Sequence, residues 1–306
     1  MSGPEVLPRV DVGIVTWNTV DLTLQAIQRL RELPDALDLR VLVRDNGSTD
    51  GTAEAVRERF PDVVVEVGDN VGFAAGVNRL VALSDSPWFV TLNSDAWPEP
   101  GALETLVRLA TRHPRTAAAA PLLLRPEGGV ELSTHPLPGL RVAAATALGA
   151  QRLLGARART MLLPGAWASD EERVVGWAVG AALLLRRSAL DELGGFDDSL
   201  FMYAEDLEWC WRAAERGWET RFTPEAVVRH VGNASGAQRW GERRDQVVIA
   251  SANAVVARHL STVGGRVWRG LNALGAVRLA VRARLRGDKP LARSWWRQVP
   301  AHLGRT

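Results

Sequence analysis

The stretch Val10-Asp11-Val12-Gly13-Ile14-Val15-Thr16-Trp17-Asn18 decides the fold. It is a short β-rich apolar run that ends in polar residues, and Leu22, Ala26, Ile27 and Leu30 follow it at helical spacing. The same unit then recurs. Leu39 to Val43 is a second apolar run, closed by the turn formers Asp45-Asn46-Gly47-Ser48, with Ser48 or Thr49 as N-cap of a helix reaching Phe60. Val63 to Val67 predicts a third strand and Ala74 to Leu83 its helix; Trp88 to Leu92 and Pro100 to Arg112 repeat the pair. Strand and helix alternating with short links predict an α/β fold, a mostly parallel sheet covered by helices on both faces. Ligands of such sheets sit outside the carboxyl ends of the strands.

After Pro121 the rhythm breaks, and 125–173 reads as a variable loop or small helical insert. Val174 to Leu185 predicts a strand, and Ser188 to Leu193 a short helix closed by Gly194-Gly195. Ala204 to Arg216 predicts a helix ended by Gly217, Glu219 to Phe222 and Ala226 to Val231 two short strands, and everything beyond Gly241 more helix.

Composition narrows the classes. The 306 residues are 46% hydrophobic and 24% charged, a globular balance. No apolar run approaches the roughly 18 residues of a spanning helix. The first eight residues carry Glu5 and two prolines and do not read as a signal peptide. A single cysteine, Cys210, excludes an internal disulfide and fits a reducing cytoplasm. The net charge of +2 conceals an asymmetry: Val263 to Thr306 holds ten basic residues and one acid, Asp288, whereas the remaining chain is mildly acidic. Such a tail suits an anionic surface. Val267, Leu271, Leu274, Val281 and Leu285 fall on one helical face with Trp268 beside it, Arg266, Arg269 and Arg284 lie opposite, and Trp295-Trp296 adds an aromatic anchor. Arg278 and Arg282 interrupt the apolar face, so a helix packed on the catalytic domain with its arginines outward is the alternative. The tail lacks the interleaved aromatics of a nucleic-acid arm.

The chemistry gathers at the strand ends: Thr16-Trp17-Asn18, Asp45-Asn46, Asn70 and Asn93-Ser94-Asp95. There is no Gly-x-Gly-x-x-Gly and no Walker loop, and the only lysine is Lys289. Asp95, on a strand end, is the kind of carboxylate that holds a hard divalent cation against a diphosphate, and His230 could add an imidazole that admits manganese beside magnesium. Glu205-Asp206 opens a helix after the aromatic-rich Phe196 to Tyr203, surroundings that raise a carboxyl pKa and suit a general base.

Val15-Thr16-Trp17-Asn18, Val43 to Gly51, Asn70-Val71-Gly72-Phe73 through Asn78, and Leu92-Asn93-Ser94-Asp95 together resemble a family-2 glycosyltransferase of GT-A fold. Gly180-Ala181, Gly194-Gly195-Phe196-Asp197, Tyr203-Ala204-Glu205-Asp206 and Arg229-His230 continue the match in order, over about 9–235. The resemblance is greatest to the bacterial rhamnosyltransferase-like subgroup that builds surface polysaccharides. It implies a GT-A domain over 1–240, with a donor half of about 9–124 and an acceptor and catalytic half of about 125–240. A basic helical extension over 241–306 lies outside it. The resemblance further implies that Trp17 stacks on the nucleotide base and Asp45 hydrogen-bonds it, with Thr16, Asn18 and Asn46 beside them. Asn70, Gly72, Phe73 and Asn78 would line the diphosphate and ribose, and Asn93-Ser94-Asp95 would be a metal motif whose first aspartate is asparagine. His230 would complete the site for Mg2+ or Mn2+, Asp206 would be the base with Glu205 beside it, and Trp177 would offer an acceptor-side face or simply core. The implied activity is inverting transfer from a nucleotide sugar, dTDP-L-rhamnose, to a saccharide or lipid-linked acceptor at the cytoplasmic membrane face. A UDP-sugar donor and a binder without turnover are the rival readings.

Overall fold

The computed structural model describes residues 9–34, 37–149, 171–232 and 238–305. They divide into two compact units, Met1–Thr134 with Ser169–Arg239 and His135–Ala168 with Trp240–Thr306.

The first unit is built on one mixed sheet. Its first four strands are β1 (Val10–Thr16), β2 (Leu39–Asp45), β3 (Val64–Val67) and β4 (Trp88–Asn93). They lie in the order β3-β2-β1-β4, all parallel. β1 is buried on both faces because it is central: Val10, Val12 and Ile14 enter the core beneath one helical layer, and Gly13 faces the other. A Cβ at Gly13 would stand 2.3 Å from Cζ of Phe89, so the bare position admits that ring. Three helices cover this half, α1 (Val20–Arg31), α2 (Thr52–Arg59) and α3 (Phe73–Ala82). Ala26, Ile27, Leu30 and Val56 pack on the β1 side chains, whereas Ala74, Val77 and Leu80 pack with Phe89 on the opposite face. The α2 helix starts later than Ser48-Thr49 suggested. Gly51 occupies its cap position, and the Asp50 carboxylate takes the Thr52 amide.

The second half departs from the expected rhythm. After β5 (Ala96–Pro98) and α4 (Ala102–Arg112) comes β6 (Thr116–Leu124), a nine-residue strand. Its Thr-Ala-Ala-Ala-Ala-Pro sequence carries little intrinsic strand signal; burial on both faces is what holds it extended. The predicted single strand from Val174 is broken into β8 (Arg173–Val175), β9 (Trp177–Ala178) and β10 (Ala182–Arg186), with Gly176 and Gly180 at the interruptions; the short β7 (Thr134–His135) precedes them. Conversely, the two predicted late strands are one, β11 (Glu219–His230), which takes up Pro224 in a register shift between Thr223 and Val227. β10 is antiparallel to both β4 and β6, β11 is parallel to β6, and β5 and β8 run antiparallel along β11. Helix α6 (Arg187–Leu193) ends at Gly194, and α7 (Glu205–Glu215) buries Trp209, Cys210 and Ala213 under the sheet.

The second unit is helical: α5 (Leu140–Leu148), α8 (Arg244–His259), α9 (Thr262–Leu285) and α10 (Lys289–His302). α9 packs on both α5 and α10. The helix α5, from the segment that reads as an insert, thus belongs with the C-terminal helices, and Arg278 donates to Thr146 O at its end (3.1 Å). Trp268 is buried here rather than presented as an interfacial anchor, and Leu271 is half-buried. The segment 150–170, within the stretch that reads as an insert, lies outside the described residues.

Candidate functional site

All the strand-end residues singled out in the sequence lie in the first unit. The loops after β1 and β2 are knitted together. Ser48 accepts from the Asn18 amide (2.9 Å), and Asn18 Oδ1 accepts from the Thr49 amide (2.8 Å). Asn18 itself sits at φ 51°, where an asparagine is tolerated better than most residues. Asp45 is buried, and its Oδ1 accepts from the Ser48 amide (2.7 Å), which closes the Asp-Asn-Gly-Ser turn. Asn46 receives Arg44 Nε at 3.1 Å and donates to Gly72 O at 2.9 Å, so the second loop is tied to the third. Asn70 Oδ1 in turn accepts from the Gly72 amide at 3.2 Å.

Gly72 has φ +89°, and a Cβ there would stand 2.1 Å from the carbonyl oxygen of Phe201. That carbonyl accepts from the Phe73 amide (2.7 Å), which brings the loop before α7 against the start of α3. Only glycine allows this approach.

Two predicted donor residues have hydrogen-bond partners within the fold. The Thr16 hydroxyl is buried among Thr19 (2.9 Å) and Thr23 (2.7 Å), and Thr19 reaches Ser94 Oγ at 3.1 Å. Asn78 gives its amide to Phe196 O (2.7 Å) and Asp198, and takes the Phe196 amide on Oδ1 (2.8 Å). It is a tie between α3 and the Gly-Gly-Phe-Asp loop. Trp177 packs against the core cluster under α7.

The candidate cation site assembles from three places. Asp95 and His230 are both buried, with His230 Nε2 3.4 Å from Asp95 Oδ1 and 3.2 Å from the Asn93 amide nitrogen. His230 Nδ1 faces Glu131 Oε2 at 2.8 Å. Burial disfavours a charged imidazole, but hydrogen bonds and charge from Asp95 and Glu131 outweigh it and raise the His230 pKa to about 9. Two ligands at about 2.1 Å on adjacent corners of a cation stand roughly 3 Å apart. The spacing of Asp95 and His230 meets that figure, but as it stands it is a direct imidazolium–carboxylate contact, so a cation would enter only as His230 gives up its Nε2 proton. Glu131 on the far ring nitrogen is then the usual companion of a ligating histidine. Among the described residues no group of three or more His, Cys, Asp or Glu side chains forms a metal cage. A cation held there would take the rest of its shell from phosphate and water.

The start of α7 is electrostatically different. Asp206 Oδ2 accepts from the Gly180 amide (2.8 Å) and Oδ1 from the Leu207 amide (2.7 Å). Burial nevertheless pushes its pKa up to about 6, against the lowering effect of those amides. Glu205, equally buried, is driven well above the usual carboxylate range by desolvation and then by the charge of Asp206. Its Oε2 has no hydrogen-bond partner among the described residues. Just before this pair, Tyr203 and Ala204 both adopt positive φ, 72° and 68°. Left-handed backbone at non-glycine residues costs on the order of 1–3 kcal/mol each, and such strain collects at functional sites.

Sequence reasoning missed three participants. Glu131 comes from the loop after β6. The Arg239 guanidinium lies 5.9 Å from the ring centre of Trp17 and 4.3 Å from that of Phe201. Gln238 beside it donates to Asn18 O (3.2 Å). No local pattern in the sequence marks any of them.

A mixed sheet whose parallel half carries polar loops at its strand ends, with a buried acid pair at the start of a later helix, is an architecture of the GT-A kind. The sequence patterns agree. The chain matches the family described as Glycosyl transferase family 2 over residues 11–165 and Glycosyl transferase family group 2 over 151–258, and it belongs to glycosyl transferase family 2. It is 34% identical over 249 residues to the N-acetylglucosaminyl-diphospho-decaprenol L-rhamnosyltransferase of Mycobacterium tuberculosis, covering 76% of this chain and 78% of that protein. It is 31% identical over 204 residues to the pre-mycofactocin glycosyltransferase of the same organism, 66% of this chain and 39% of that one. Among solved structures, a mannosyltransferase from Pyrobaculum calidifontis in complex with GDP-Man and Mn2+ superposes with a TM-score of 0.61 at 20% identity, over 97% of this chain and 86% of that one. That likeness bears on the fold. Among the described residues no helix is long and apolar enough to cross a membrane.

Proposed function

We propose that this glycosyltransferase moves L-rhamnose, with inversion, from dTDP-L-rhamnose to a saccharide on a lipid diphosphate carrier. The observation that carries the reading is Asp206: a buried carboxylate, aimed by two backbone amides, whose pKa of about 6 suits a base working near neutrality. The acceptor hydroxyl would attack the anomeric carbon as its proton passes to Asp206. The bond from that carbon to the diphosphate breaks, and the nucleoside diphosphate leaves. One base suffices for such an inversion, and no second, opposed carboxylate is needed.

The donor would lie along the knitted loops, with its base on Trp17 and Asp45 and its ribose and diphosphate along Asn70, Gly72 and Phe73. Asp95 and His230 would hold a divalent cation, magnesium or manganese, which neutralises charge on the departing diphosphate. The rhamnosyl donor and lipid-linked acceptor rest on the printed activity of the 34%-identical relative. Those two features are what a direct assay must examine.

The test is transfer from dTDP-L-rhamnose, and from UDP-sugars in parallel, to N-acetylglucosaminyl diphosphoryl polyprenol, with the product anomer read by NMR. The reading expects turnover with the rhamnosyl donor alone, an inverted anomeric centre, and loss of turnover in excess chelator. Retention of configuration, preference for a UDP-sugar, or full turnover under chelation would overturn the corresponding element. Donor binding without turnover or donor hydrolysis would make the protein a nucleotide-sugar binder.

A further inference from the structure

The helix α9 is apolar on two opposite sides, and among the described residues only one of them is covered. Gly265, Ala276, Ala280 and Ala283 are buried on the side that packs within the helical unit, which explains their small size. At about 100° per residue, Val263, Val267, Leu274, Val281 and Leu285 cluster within about 40° of arc on the other side. All five are exposed, from 44% for Val281 to 84% for Leu285. They form a stripe along a 24-residue helix, about 36 Å long. Leaving so many large aliphatic groups aligned in water is unfavourable, and an aligned stripe signals a docking surface in a way that scattered ones do not.

The charge around the stripe identifies the occupant. Arg266 and Arg284 border it on one side and Arg282 on the other, with Arg286 and Lys289 at its end. No aspartate or glutamate occurs between Asp245 and Asp288. A second copy of this face would bring arginines against arginines. A nucleic acid would meet aliphatic groups where it needs polar ones. An anionic bilayer satisfies both features at once, with aliphatic side chains entering the acyl boundary and guanidinium groups meeting phosphate headgroups.

We propose that the Val263–Val267–Leu274–Val281–Leu285 stripe of α9, with its bordering arginines, docks the protein on the surface of an anionic lipid bilayer. Trp268, buried in the helical unit, takes no part, and Arg278 is spent on the α5 carbonyl. The inference does not depend on the transfer chemistry and stands or falls separately from it.

The experiment is co-sedimentation of the full chain with vesicles of phosphatidylglycerol, against vesicles of phosphatidylcholine, at low and high salt. Docking predicts binding to the anionic vesicles at least tenfold tighter than to the neutral ones, weakened by salt. Leu274→Glu with Val281→Glu should reduce that binding at least tenfold, and Arg266→Gln or Arg284→Gln about fivefold each. All four positions are exposed or on the outer face, so unfolding temperature should stay unchanged and serves as the folding control. Equal partitioning onto both vesicle types, no partitioning at all, or wild-type binding by the double glutamate variant would overturn the proposal. So would a wild-type dimer that the glutamates convert to monomer, which would assign the stripe to a second copy.

Discussion

The loops at the ends of β1 to β3 and the start of α7 are both polar, the first partly open to solvent and the second buried, and they are built on opposite principles. In the loops the buried polar side chains have partners: Asp45 holds Ser48 and Asn46 spans Arg44 and Gly72, while Asn18 holds Thr49. At α7 two adjacent carboxylates are buried together, and one oxygen of Glu205 goes without a partner among the described residues. Satisfied polar groups rigidify a surface at little cost. Desolvated carboxylates store free energy that favours taking up a proton. The difference is that fixed shape and a stored tendency to take up a proton lie in separate parts of the fold, as the proposed division between donor binding and proton transfer requires.

The sharpest way to break this comparison is Asp206→Asn. The amide keeps the volume but cannot take a proton, and its NH2 must give up one of the two backbone amides that the carboxylate accepts. Transfer should therefore fall about 10²- to 10⁴-fold while donor affinity, measured by calorimetry, stays near wild type. The wild-type rate should fall as pH drops through about 6, because the base works only when ionised. Stability runs the other way. A carboxyl whose pKa is raised on folding favours the fold while protonated, and that contribution fades as pH rises from about 4 through 6. Chemical denaturation across this range should therefore show a flatter profile for Asp206→Asn. A variant keeping more than half the wild-type rate would move the base elsewhere, with Glu205 the first candidate.

A second, smaller effect tests whether Glu131 belongs to the cation site or only braces a loop. Glu131→Ala should weaken Mn2+ binding about 10- to 100-fold, because the imidazole loses the partner that fixes its orientation. Glu131→Gln, which can still accept from Nδ1, should recover part of that loss. Calorimetric titration with Mn2+ alone reads this without any assay of transfer. Equal Mn2+ affinity in wild type and Glu131→Ala would leave Glu131 a structural residue.

How far these groups could be read from sequence follows from how far their contacts reach. The parallel half, β3-β2-β1-β4, was legible because each strand and its helix carry their own periodicity within about 25 residues. Asp95 and the Glu205-Asp206 pair stood out as acids next to apolar segments. The β6 strand was not legible, since four alanines acquire strand character only from β10 and β11 on either side. Glu131 joins His230 across 99 residues, and nothing near either residue announces the other. The break of 173–186 into three pieces was marked only by Gly176 and Gly180. Its purpose, presenting the Gly180 amide to Asp206, emerges only when α7 is in place.

The smallest expected effect on transfer belongs to Asn78, and it separates the two principles most finely. By resemblance Asn78 would touch the donor; in the structure its amide is committed on both atoms to Phe196, 118 residues away. If it is a brace, Asn78→Ala leaves the Phe196 amide and carbonyl short of partners. The variant should then lose about 1–3 kcal/mol of stability, read by urea unfolding. Its KM for the donor should change less than its stability suggests, with kcat within tenfold of wild type. If it is a donor contact, the order reverses: KM rises steeply while the urea midpoint hardly moves. Measuring both quantities on one variant therefore decides which half of the comparison Asn78 belongs to. The outcome expected from the geometry is the first, because both N–H groups of the Asn78 amide are spent within the fold, on Phe196 O and Asp198, and its Oδ1 already accepts from the Phe196 amide.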